Sequence, residues 1–132
     1  MKVIYTAHSK HNYYAKQFVS AYVLTSGDMP LNPFMNWDYF LDDLVERETI
    51  HKANEQLIKM SDEVWQFGEI SNGCYYELEM AMELKMPMKF FTIGGKVDEI
   101  QPISNLDDLV FEEEIADKIN VADFRGKLRE YL

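Results

Sequence analysis

The 132-residue chain has a single cysteine, Cys74. One thiol excludes an internal disulfide and a cysteine-built zinc site, and makes a reducing cytoplasm the expected location. Proline and glycine are sparse, and neither a linker, a low-complexity tract nor an internal repeat is present. No apolar run is long enough to span a bilayer. Met1-Lys2-Val3-Ile4-Tyr5 leads straight into structure with no secretory signal. Cations are short too: 13 Lys and Arg face 23 Asp and Glu, for a net charge of -10 and a pI near 4.6. That balance argues against a nucleic-acid polymer or an anionic membrane as partner. It leaves room for a small phosphorylated ligand, because a few backbone amides can outweigh distant charge.

What is present fits one compact domain over residues 1–132, being 47% hydrophobic and 14% aromatic. Lys2 to Ala7, Met29 to Asn32, Glu63 to Gly68 and Met88 to Ile93 read as strands, and Leu109 to Phe111 as a further edge strand. Helices are expected over Tyr13 to Leu24, with Asn12 as N-cap, over Tyr39 to Leu44, Glu46 to Met60, Cys74 to Lys85 and Ala122 to Leu132. Pro33 to Asp38 reads as a loop. Strands alternating with helices predict an α/β fold: a three-layer α-β-α sandwich around a mostly parallel, Rossmann-like (flavodoxin-like) sheet of four or five strands. Residues 97 to 117 hold eight acids and no Lys or Arg, which reads as a solvated face and secondarily as an acidic interaction surface.

Ligands of such folds sit at the carboxyl ends of the strands. This places His8, Ser9 and Lys10 after the first strand beside Ser71, Asn72 and Gly73 after the third. A Ser/Gly turn opening a helix can offer free N–H groups to an anion. Glu77 follows just inside that helix. At about 100° per residue it shares a face with Ala81 and Leu84, away from Glu79 and Glu83, and so points inward. An inward carboxylate is either a buried acid satisfied by a neighbour or a cleft carboxylate tuned for nucleophilic or acid/base work. Asn54 lies on the buried stripe of its helix, as a structural hydrogen-bond partner or a ligand contact. Tyr5 could orient Glu77 or be core with a wet tip. Trp37, Tyr39 and Phe40 could stack on a base as a lid or anchor the loop.

Other chemistries lack their partners. His8 and His11 are three apart with no third metal ligand nearby, and Ser9 and Cys74 lack a His-acid pattern for a nucleophile. No Walker loop or Gly-x-Gly-x-x-Gly is present. Met80, Met82, Met86 and Met88 read as core filler. No cofactor is expected.

The strand Val3-Ile4-Tyr5-Thr6-Ala7, then Asn54 and Asp62, then Ser71-x-Gly73-x-x-x-Glu77-Leu78-x-x-Ala81 resembles the nucleoside deoxyribosyltransferases and the deoxyribonucleoside monophosphate N-glycosidases. Over roughly residues 1 to 93 it looks most like small bacterial and phage domains of that superfamily, through the run from Asp62 to Glu77. The resemblance implies that Glu77 attacks the anomeric carbon to form a glycosyl-enzyme and that Tyr5 holds it. Ser71 and Gly73 then contact the far end of the sugar. The transferases carry aspartate where Ser71 stands and the monophosphate glycosidases serine, so the resemblance favours a 5′-phosphorylated ligand. Asn54 departs from the family aspartate that helps the base leave; an amide is no general acid. The first loop, His8-Ser9-Lys10, lacks the arginine and glycines that contact phosphate in the glycosidases. The resemblance also implies a homo-oligomer, a dimer, and admits a non-catalytic nucleotide-binding or sequestering module.

Overall fold

The runs rich in β-branched and aromatic residues do form strands. In the computed structural model, which describes residues 1–132, β1 is Val3–His8, β2 Met29–Leu31, β3 Glu63–Phe67 and β4 Met88–Phe91. All pair in parallel, in the order β2-β1-β3-β4. Tyr5 lies opposite Leu31 on one side and Val64 on the other, and Val64 lies opposite Met88. β1 and β3 are buried along nearly their whole length, as inner strands of a parallel sheet must be. The helices are α1 (Lys16–Thr25), α2 (Pro33–Asn36), α3 (Arg47–Lys59), α4 (Asn72–Glu83), α5 (Glu113–Ala116) and α6 (Val121–Tyr131).

Strand alternation divides the core in two. Tyr5, Ala7 and Val64 face Ile58 of α3, Leu78 and Ala81 of α4 and Leu128 of α6. Ile4, Trp65, Phe67 and Phe91 face Val19 and Val23 of α1. Helices therefore cover both faces, as the α/β sandwich requires. Each large side chain fully buried here, such as Leu78, contributes about 1.5–3 kcal/mol. From β1 the chain passes outward to β2, while β3 lies on the opposite side of β1. A crevice must open outside the carboxyl ends of β1 and β3, where the strand order reverses.

The connections differ from the sequence expectations. Asn12 is not an N-cap. It is buried in a 3-10 turn (Lys10–Ala15) capped by Ser9, and its Nδ2 donates to Glu69 at 2.9 Å. Pro33–Asn36 is a short helix rather than a loop, because Asn32 caps it and Pro33 suits its first turn. Tyr39 to Leu44 is not a regular helix: Asp38 and Phe40 to Asp43 sit at φ between +48° and +60°. Leu84 is half-exposed instead of sharing the buried face of Glu77, since it ends the helix before Lys85 at φ +56°. Leu109 to Phe111 makes no strand, only a single parallel bridge from Phe111 to Ile70.

Gly68, just past β3, has φ +74°, and a Cβ there would lie 2.5 Å from Ile93 Cγ2. Only glycine fits both the backbone and the space. It turns the chain towards Ser71 and the start of α4.

Candidate active site

A cleft of about 890 Å³ lies outside the ends of β1 and β3. Tyr5, His8, Ser9, Asn54, Ser71, Asn72, Gly73 and Glu77 all line it. Residues up to 72 positions apart meet because β1 pairs directly with β3, and only four residues separate the end of β3 from the start of α4.

The floor of the site is the pair Tyr5 and Glu77. Tyr5 is fully buried, and its hydroxyl donates a short hydrogen bond to Glu77 Oε2. Glu77 is partly exposed, so its carboxylate is packed round by protein yet reachable from the cleft. Burial pushes the carboxyl up to about 7, against the opposing effect of the Tyr5 hydrogen bond. Burial first, then the Glu77 charge, raises the Tyr5 phenol well above its usual value, so it stays protonated as a donor. Cys74, one turn earlier, is buried with its thiol pushed up to about 12 by desolvation, which leaves it an inert packing group.

Above the floor, Ser71 caps α4. Its hydroxyl accepts from the Cys74 N–H at 3.2 Å. The N–H groups of Asn72 and Gly73, in the first turn of a 12-residue helix, have no intrahelical acceptor. They are the donors of this end of the cleft.

On the β1 side, His8 and Ser9 are fixed and uncharged. His8 is buried, and desolvation lowers its pKa to about 4. Asn32 Nδ2 donates to His8 Nε2 at 3.2 Å, leaving the ring proton on Nδ1 beside the Ser9 carbonyl at 3.4 Å. The Asn32 orientation follows from its Oδ1 accepting from Phe34 N at 2.9 Å. Ser9 is fully buried and its hydroxyl accepts from His11 N at 3.2 Å. Both residues border the cleft as neutral, already partnered groups.

The opposite wall is aromatic. Trp37 Nε1 donates to Asn54 Oδ1 at 2.9 Å. With its oxygen so engaged, Asn54 presents its NH₂ as a donor. Phe34 and Phe40 pack edge to face at 6.2 Å, and the Arg47 guanidinium lies 4.3 Å from the Phe40 ring centre while binding Asp43 at 2.9 Å.

Sequence reasoning missed Phe34, Arg47 and the acids Glu112 and Glu114, all of which line the cleft. The acids arrive through the Phe111 bridge: Ile70 N donates to Val110 O at 2.8 Å and Glu112 N to Ile70 O at 2.9 Å. This pins Glu112 beside the residue preceding Ser71. No sequence spacing signals a contact across 40 residues, and the acidic run reads locally as a solvated face.

The chain is similar in fold to a solved 2-deoxyribosyltransferase from the psychrotolerant bacterium Bacillus psychrosaccharolyticus, with a TM-score of 0.56 and 19% identity over 92% of this chain and 94% of that one. No curated protein matches it. The model of the family described as Domain of unknown function (DUF7768) matches residues 3–91, from β1 to the end of β4 and including Tyr5, Asn54 and Glu77. With two-thirds of its length matched, the chain belongs to the DUF7768 family.

Proposed function

We propose that the protein cleaves or transfers the N-glycosidic bond of a nucleoside unit through Glu77. The observation that carries this reading is the Tyr5–Glu77 pair at the switch point of the sheet. Glu77 attacks C1′, the bond from C1′ to the base nitrogen breaks, and its electron pair leaves with the base. Water or a second base then displaces the carboxylate from C1′. The phenol of Tyr5 aims the nucleophile and withholds one of its two oxygens from the sugar.

The finer reading, a 5′-monophosphate, rests on Ser71 in place of aspartate and on the free N–H groups of Asn72 and Gly73. Glu112 and Glu114 border the same end and weigh against a dianion there. A second reading, a binding module without turnover, is favoured by Asn54, whose amide cannot protonate a leaving base. A homodimer is implied by the resemblance and is tested by the mass of the protein in solution.

Incubation with nucleosides and their 5′-monophosphates, in deoxy and ribo forms, separates these readings. Base release abolished by Glu77→Gln supports the enzyme, and the better member of each pair decides the phosphate. Thermal stabilisation without release supports the binder. No shift and no release with any member overturns both.

A further inference from the structure

An amide rather than a carboxylic acid at Asn54 poses a definite chemical problem. A neutral purine or pyrimidine leaves as an anion unless it is protonated, and a positioned acid ordinarily contributes about 10²–10⁴-fold to such a step. Asn54 lines the cleft, and its oxygen is held by Trp37. Asp38, Glu55, Glu83 and Glu114 are solvent-exposed, Glu112 is half-buried beside Ile70, and His51 is exposed one turn before Asn54 on α3. Glu79 is bound to Lys127 at 3.0 Å.

The same cleft is strongly anionic. Its cations are Lys10 and Arg47, and Arg47 is already paired with Asp43. Against them stand Asp38, Glu55, Glu77, Glu83, Glu112 and Glu114, with Glu79 paired to Lys127, His8 buried in its neutral form and His51 exposed on α3. Aromatic rings of Phe34, Trp37, Phe40 and Tyr76 line the cleft as well. Acids and aromatic faces together favour a flat cation.

Building on the glycosidic reading of this site, we propose that its substrates are nucleosides whose base is already cationic, such as N-ribosyl pyridinium or N-alkylated purinium compounds. Attack of Glu77 on C1′ breaks the bond from C1′ to the ring nitrogen. The bonding pair cancels the ring's positive charge, and a neutral base departs with no proton supplied. Water then attacks C1′, regenerates the carboxylate and gives up one proton to solvent. The absence of an acid at Asn54 and the excess of acids elsewhere become one design.

The test compares nicotinamide riboside and its 2′-deoxy analogue with their 1,4-dihydro forms, which keep the heavy atoms and lose the charge. Neutral deoxynucleosides and ribonucleosides complete the panel. The expected result is nicotinamide release by the native protein at a kcat/KM at least about tenfold above base release from neutral nucleosides, given the size of the missing acid effect. In Glu77→Gln, which keeps a partner for Tyr5, the cationic form should raise the Tm more than its dihydro form. Equal or faster cleavage of neutral nucleosides, or equal stabilisation by both redox forms, overturns this proposal and leaves the glycosidic reading standing. Neither cleavage nor stabilisation by any compound overturns both.

Discussion

Tyr5 and Glu77 are 72 residues apart, yet the phenol of one donates directly to the carboxylate of the other. Tyr5→Phe leaves the packing of β1 intact and removes that donor. Loss of the bond costs about 0.5–1.5 kcal/mol in stability. Because the bond favours the ionised form, the Glu77 carboxyl should titrate higher in the variant. The expected outcome is a pH–rate profile for base release whose acid limb moves to higher pH, with a lower plateau.

The raised carboxyl couples activity and stability in opposite senses. Between pH 4.5 and about 7 the folded protein keeps a proton on Glu77 that the unfolded chain has lost. Its contribution is therefore full below pH 4.5 and disappears as pH rises through 7, by up to about 3 kcal/mol. His8 acts the other way, its folded pKa depressed from 6.5 to about 4. Its contribution is full above pH 6.5 and is lost as pH falls through 4. Denaturation of Glu77→Gln and native protein at pH 5 and pH 8 should show the variant gaining relative stability at the higher pH, while the same pH range increases the native rate.

Trp37→Phe keeps an aromatic wall and frees Asn54 to turn its amide. A hydrogen bond of ordinary strength is worth about 0.5–1.5 kcal/mol, or roughly 2- to 10-fold in affinity. Titration of nicotinamide riboside into Glu77→Gln with and without Trp37→Phe should show weakening in that range. An unchanged affinity would remove Asn54 from the binding surface.

Gly68→Ala should destabilise the fold by about 1–3 kcal/mol, because alanine meets both the positive φ and the Ile93 side chain. Urea denaturation gives the midpoint directly. A stability within 0.5 kcal/mol of native, about the scatter of surface substitutions, would show that the turn relaxes.

The central strands and long helices were legible because their cause is local. Val3–His8 and Glu63–Phe67 are short β-rich runs, and α3 carries Ile50, Leu57 and Ile58 on one stripe. The topology rule then brought His8, Ser71 and Glu77 to one crevice. What could not be read depends on the backbone beyond its neighbours. Phe40 to Asp43 contain no glycine to announce positive φ. Asn12 looked like a cap because its partner Glu69 lies across the fold. Asn32 and Pro33 did carry a start signal for α2, and it was missed under the density of aromatics around it.

The single bridge from Ile70 to Phe111 has a consequence for how such a protein can diversify. The region matched by the family model ends at residue 91 with Tyr5 and Glu77 inside it, whereas Glu112 and Glu114 come from outside. Changes in the later segment can alter the charge at the mouth without disturbing the strands that aim Glu77. Relatives that share the Tyr5–Glu77 pair need not share the acids at its mouth, nor therefore a ligand.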